Sequence, residues 1–280
     1  MIIIADSGST KTNWIIADKG KVREKITTPG LNPNFSPSGH ISAIVRENIK
    51  PRLEKDSRPE IYFYGSGCSD EYLCGKVREA IESITGVAHI EVHSDLLGAA
   101  RGLLGNKEGI ACILGTGSNS CLYDGNKIIG NIPPLGFILG DEGGGAYLGK
   151  QLLSDYLKGI MPAGVSQLFG KKYHADKDIV IEKVYRGEFP NKYIASFVVF
   201  LRDNISNSYC SKLVEEAFGE FIRRNIKFYE RYDSLHISFT GSIAWYFEDI
   251  LRKVLQSYQL TTGKIIKEPA AKIMEYHLRQ

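Results

Sequence analysis

One short pattern occurs twice in this chain, and it restricts the fold more than any other feature. Ile3-Ile4-Ala5-Asp6-Ser7-Gly8-Ser9 continues through Asn13-Trp14-Ile15-Ile16-Ala17-Asp18; Cys112-Ile113-Leu114-Gly115-Thr116-Gly117-Ser118 continues through Cys121-Leu122-Tyr123-Asp124. Each copy reads as strand, small-residue hairpin, strand, acidic turn, with Gly8 matching Gly117. The repeat predicts two related halves, divided near the polar, glycine-flanked stretch Gly105-Asn106-Lys107-Glu108-Gly109.

Between the copies the hydrophobic period changes. Ile41, Ile44, Val45, Ile49 and Leu53 have helical spacing, as do residues 72–84 and 96–104, whereas 61–64 and 90–94 are short apolar runs of strand type. This alternation predicts an α/β fold with crossover helices. Residues 141–232 read as mostly helical, and Asp203-Asn204 is the expected break within a long periodic segment at 193–229. A strand at 235–239, a helix at 243–255, a short strand at 264–267 and a helix at 270–278 complete the reading. Glu268-Pro269 suits a strand-to-helix junction, because proline fits the first helical turn.

Composition excludes more than it identifies. The net charge of +3 comes with no Lys/Arg run, which argues against nucleic acid as a partner. No apolar stretch approaches the ~20 residues of a spanning helix, and the amino terminus has no basic leader or cleavage motif, so a cytoplasmic protein without a membrane partner is expected. Cys68, Cys74, Cys112, Cys121 and Cys210 are odd in number and scattered, and so are read as reduced thiols. The six histidines have no ligand spacing on a common helix.

Glycine clusters at the ends of the apolar runs carry the chemistry. The turn in Asp6-Ser7-Gly8-Ser9-Thr10-Lys11-Thr12 can offer backbone N–H groups and hydroxyls to an anion, with Asp6 placed to hold hydrated Mg²⁺ beside it. It lacks the GxxxxGK[ST] pattern of a P-loop. Two such loops, the second at Leu114-Gly115-Thr116-Gly117-Ser118-Asn119, can clasp one polyphosphate. Asp95 follows an apolar strand and opens a helix rich in small residues, where it can act as an N-cap, as a base accepting a proton from an attacking hydroxyl, or as both. Asn32 and Asn34 fit either a turn or a sugar contact. Asp141-Glu142 precedes a glycine run and a helix, and so reads as a cap or a macrodipole partner.

Taken in order, Asp-x-Gly-x-Thr-Lys-Thr, Ser-Asp-Leu-x-Gly-Ala, Gly-Thr-Gly-Ser-Asn, Gly-Asp-Glu-Gly-Gly-Gly-Ala-Tyr and Thr-Gly-Ser resemble the N-acetylglucosamine kinase branch of the actin-like sugar kinase and Hsp70 superfamily. They are similar as well to a wider group that includes the ATPases of benzoyl-CoA reductase and 2-hydroxyacyl-CoA dehydratase. The resemblance implies two ribonuclease H-like domains of α/β class with a cleft between them. Residues 1–106 would form the sugar and phosphate domain, with the helix at 269–280 packing back on it, and residues 107–268 the nucleotide-binding domain. It further implies an ATP- and Mg²⁺-dependent kinase that phosphorylates an amino sugar, N-acetylglucosamine first, at the 6-hydroxyl. The implied partners are that sugar and ATP, and the expected assembly is a homodimer.

Residue by residue, the resemblance implies that Gly8, Ser9, Thr10 and Lys11 form the first phosphate loop with Asp6 near the metal. Gly115, Thr116, Gly117 and Ser118 would form the second, and Asp95 would be the catalytic base. Asn32, Asn34, Gly136 and Asp141 would face the sugar, while Gly241 and Ser242 would border the adenosine. Two departures stand out. The iron–sulfur activator ATPases carry Cys-Ala-x-Gly-Thr-Gly, whereas here Cys112 is followed by Ile113 and lies inside an apolar strand, which argues against a redox-activator ATPase. Leu135 stands where the family has an aromatic, which leaves the sugar open. A non-catalytic sugar- or ATP-binding module is the third reading, and the presence of Asp95 argues against it.

Overall fold

The computed structural model describes residues 1–54 and 58–280. The chain divides into two compact units: Met1–Lys107 with Gly125–Lys127 and Glu268–Gln280, and Glu108–Asp124 with Ile128–Lys267.

The first unit is built on strands β1 (Ile2–Ser7), β2 (Lys11–Asp18), β3 (Lys21–Pro29), β4 (Glu60–Gly65) and β5 (His89–Ser94). Their order is β3-β2-β1-β4-β5. β1, β2 and β3 form an antiparallel meander, and β4 and β5 run parallel to β1. The period of two decides the layering. Ile3, Ala5, Trp14 and Ile16 enter one core with Ile41 and Val45 of α1 (Ser38–Asn48) and Val77 and Ile81 of α2 (Glu71–Thr85). Ile4, Ile15 and Ala17 enter another, shared with Ile273 and Met274 of the last helix. With both faces covered, β1 can be apolar from Ile2 to Ala5.

In the second unit β6 (Glu108–Leu114), β7 (Ser118–Asp124), β8 (Ile128–Asn131), β9 (Ile237–Thr240) and β10 (Thr262–Ile266) take the order β10-β9-β6-β7-β8. This is the first sheet again, with antiparallel β6, β7 and β8, and parallel β6, β9 and β10. The chain is thus an α/β protein with two five-stranded mixed sheets of the ribonuclease H-like order. Ile110, Cys112, Leu114, Ile237 and Phe239 pack into a core with Phe169, Phe200, Phe218 and Phe221 from the helices.

The helical region is more broken than its hydrophobic period predicts. Following α3 (Asp95–Leu104), the helices are α4 (Gly136–Leu139), α5 (Gly145–Leu157), α6 (Ala163–Tyr173), α7 (Lys177–Arg186), α8 (Pro190–Ser196), α9 (Val198–Asp203) and α10 (Ser208–Arg224). The expected interruption follows Asp203, and a second falls at Phe197. The helix expected at 243–255 is likewise split at Phe247, into α11 (Ser242–Tyr246) and α12 (Glu248–Ser257). Phe197 and Phe247 are both buried in the core, so tertiary packing sets these breaks. The chain ends with α13 (Ala270–His277), which enters after Pro269. Among the described residues no helix is long and apolar enough to cross a membrane.

Candidate active site

Register brings the chemistry of the first unit to one sheet end. Ser7 pairs with Gly65, and Gly65 with Ser94, so the carboxyl ends of β1, β4 and β5 are level. Open α/β sheets offer ligand sites at that end. The hairpin leaving β1 closes through Gly8 N–H donating to the Lys11 carbonyl at 3.0 Å. The amides of Ser9 and Thr10 meet no acceptor among the described residues, which leaves them available to an anion.

Ser7, not among the expected site residues, is the node of this corner. Its buried hydroxyl lies 2.8 Å from the Thr12 hydroxyl and accepts the Leu31 amide at 3.0 Å. Gly30 N–H donates to the Thr10 carbonyl at 3.1 Å. These bonds hold the 30–34 segment against the phosphate loop. Within that segment the two asparagines differ: Asn32 is buried and its Oδ1 accepts the Asn34 amide at 3.0 Å, the turn its sequence allowed, while Asn34 is exposed.

At α3 the structure corrects one expectation. Ser94 is the N-cap, its hydroxyl accepting the Leu97 amide at 3.3 Å, and Asp95 is the first helical residue. The serine takes the capping bond and leaves the Asp95 carboxylate to the backbone N–H groups of Leu96 and of Asp95 itself. Burial outweighs those donors and raises the Asp95 carboxyl to about 6. Farther along α3, a Cβ on Gly98 would lie 2.8 Å from the Tyr64 ring, so glycine there lets the helix lie close on β4.

Asp6 is pushed up further, to about 7, by burial first and then by the charges of Asp95 and Glu268, with Lys11 opposing. A carboxylate so short of positive charge suits a cation. Among the described residues no three His, Cys, Asp or Glu side chains converge to cage a metal directly, and Mg²⁺, which keeps much of its water, needs only one or two carboxylates. The residues therefore fit hydrated Mg²⁺ at Asp6.

The second hairpin is held differently. Its carbonyls face α5: Gly145 N–H donates to the Gly115 carbonyl at 2.8 Å and Ala146 N–H to that of Thr116 at 2.7 Å. The amides of Thr116 and Gly117 meet no acceptor among the described residues. Asp141, at φ 57°, accepts the Ser118 amide at 3.1 Å, and a Cβ on Gly117 would lie 2.6 Å from its carboxylate. Asp141 thus braces the second loop, and burial raises its pKa. Leu135 and Gly136, at φ 59° and 74°, open α4 and are exposed.

Ile113 pairs with Thr240 across β6 and β9, which sets Gly241 and Ser242 beside the second hairpin. The Thr240 hydroxyl is buried there without a hydrogen-bond partner among the described residues. A free hydroxyl and free amides together fit a nucleotide. Cys112 is fully buried within β6, and burial pushes its thiol far up, as expected of an inert core cysteine.

No family model and no curated protein matches the chain. Among solved structures, a proposed N-acetylglucosamine kinase from Porphyromonas gingivalis is 40% identical, with 100% of this chain and 99% of that one covered and a TM-score of 0.94. A second proposed N-acetylglucosamine kinase, from Chromobacterium violaceum, is 18% identical over 98% of both chains, with a TM-score of 0.78. A ROK family glucokinase from Streptomyces griseus, solved with glucose and AMPPNP, is 14% identical over 99% and 97%, with a TM-score of 0.56. The last two show the fold alone. The first shares both sequence and fold along its whole length, and so the chain belongs to the N-acetylglucosamine kinase-like family of the actin-like ATPase superfamily.

Proposed function

We propose that this chain is an ATP- and Mg²⁺-dependent kinase that phosphorylates an amino sugar, N-acetylglucosamine first among candidates, at its 6-hydroxyl. The observation that carries the reading is the shared sheet end of the first unit, where a hairpin with free amides, two carboxylates of raised pKa and the 30–34 segment meet. Two of the similar structures are proposed N-acetylglucosamine kinases and a third is a glucokinase, in keeping with that chemistry.

In this reading Asp95 accepts the proton of the sugar hydroxyl as it attacks phosphorus. Its raised pKa brings proton affinity nearer to neutral pH, where a general base is most effective. Asn34, exposed beside the first loop, is free to read the acetamido group. Ser9, Thr10 and Lys11 are the phosphate-binding groups of the first unit, and Thr116 and Gly117 those of the second. Asp6 would hold Mg²⁺ through water, and the ion would supply positive charge against the negative charge that develops on the phosphoryl group. Asp141 serves by bracing the second loop, in addition to any bond to the sugar. Gly136 stays a sugar-contact proposal, as do Gly241 and Ser242 for adenosine. Residues 1–106 and 269–280 would carry sugar and base, residues 107–268 the nucleotide.

Coupled ADP release tests this, with N-acetylglucosamine, N-acetylmuramate, glucosamine and glucose supplied separately. Release that depends on an N-acetylated sugar is the expected result. The same slow ADP release with every sugar and with none would sink the kinase reading.

A further inference from the structure

The chain returns to the first unit at Glu268, immediately after the segment that follows β10. The Glu268 carboxylate there takes the Lys11 ammonium as an ion pair, and its second oxygen lies 3.4 Å from Asn13 Nδ2. Lys11 and Asn13 are two residues apart on β2 and so share one face. The two partners are 257 residues apart in sequence, and both side chains are nearly half exposed.

This pairing has a consequence for a loop that receives phosphate. Lys11 is the cation of the first hairpin, and its ammonium is already matched by a carboxylate. Any phosphate oxygen that seeks Lys11 competes with Glu268 for the same three donors. Asp6 and Asp95 add two more carboxylates to this corner, and Glu268 is near enough to help raise Asp6. A bare polyphosphate therefore meets three acidic groups and one committed lysine, whereas a polyphosphate that carries a divalent cation brings its own countercharge.

Resting on the kinase reading of this loop, we propose that Glu268 is a positioning residue: it holds Lys11 at the first hairpin and competes with polyphosphate for it, so that the loop favours cation-loaded over cation-free polyphosphate. Because the pair is exposed it is weak, and exchange of Lys11 from carboxylate to phosphate is readily reversible. Glu268 touches neither reacting atom; it acts through Lys11.

Calorimetric binding to the full-length protein tests this, using ATP with Mg²⁺, ATP in EDTA, and inorganic tripolyphosphate in EDTA. Glu268→Gln should tighten the two metal-free ligands roughly three- to ten-fold, as expected for loss of one nearby charge at a solvated site. It should leave Mg²⁺-loaded ATP within about two-fold. Glu268→Ala should act in the same direction. In a Lys11→Met background Glu268→Gln should shift metal-free affinity less than about two-fold, because its target is gone. An unchanged ratio of loaded to metal-free affinity overturns the proposal alone, and so does equal tightening with and without Lys11. Failure of the wild-type protein to bind ATP in either form removes the phosphate-loop reading and this proposal together.

Discussion

The hairpins at residues 7–11 and 114–118 hold the same place in two copies of one sheet, yet they are braced by different means. The first is tied from below by the buried Ser7 and Thr12 hydroxyls and carries a lysine paired with a carboxylate. The second has no lysine; helix α5 takes its carbonyls and Asp141 takes its Ser118 amide. In both, two amides stay unclaimed among the described residues. A common backbone thus keeps the property common to both loops, amide donors for an anion, while side chains give each its own chemistry. Titratable groups gather at the first: Asp6 and Asp95 stand well above the ordinary carboxylate range. The second is an anchor.

If the first loop is the chemical centre, the largest effect belongs to Asp95. Asp95→Asn should lower kcat by at least ~10² while calorimetric affinity for ATP and sugar stays within a few-fold, since a general base contributes on that scale. Turnover at the wild-type level would erase the distinction between the loops.

The second loop predicts a change in stability. Gly117→Ala must displace the Asp141 carboxylate, and Asp141→Ala removes it, so each leaves the Ser118 amide without its acceptor. Each should cost about 1–3 kcal/mol by thermal unfolding. The double variant should cost no more than the worse single one, because both break one brace. Additive losses would show that Asp141 and Gly117 act separately.

A smaller effect, of opposite sign, separates the loops again. The folded-state pKa of Asp6 lies above its unfolded value of 3.8, so the folded state binds the extra proton and stability falls as pH rises from about 4 to 7. Asp6→Asn should therefore stabilise the protein at pH 8 by about 1–2 kcal/mol, below the full linkage value because the side chain is partly solvated. The gain should vanish below pH 4. A destabilised variant at pH 8 would mean that Asp6 is already neutralised in the free protein.

Much of this was legible in the sequence wherever local pattern decides. The alternation through Ile3, Ile4 and Ala5 and the helical spacing from Ile41 onward mark elements that bury a face, and the repeated hairpin gives the duplicated sheet. The third strand of each meander was not legible. β3 is an edge strand rich in charge and β8 has four residues, so neither offers an apolar run. Which of Ser94 and Asp95 caps α3 is not legible, because both residue types cap equally well. The bonds from Ser7 to Leu31, Asp141 to Ser118 and Glu268 to Lys11 span 24, 23 and 257 residues and leave no local signature. Asp141 needs a left-handed backbone to reach Ser118, and aspartate adopts it more readily than most residues, but nothing in the sequence requires it to.

The pH dependence of kcat at saturating Mg²⁺-loaded ATP tests the central claim, that Asp95 in the first unit is the base, most directly. In that complex the acid limb should report Asp95: log kcat should rise with unit slope and level off as the Asp95 carboxyl loses its proton. In Asp95→Asn that limb should disappear. A limb that persists unchanged in the variant would contradict the account and move the base to another residue.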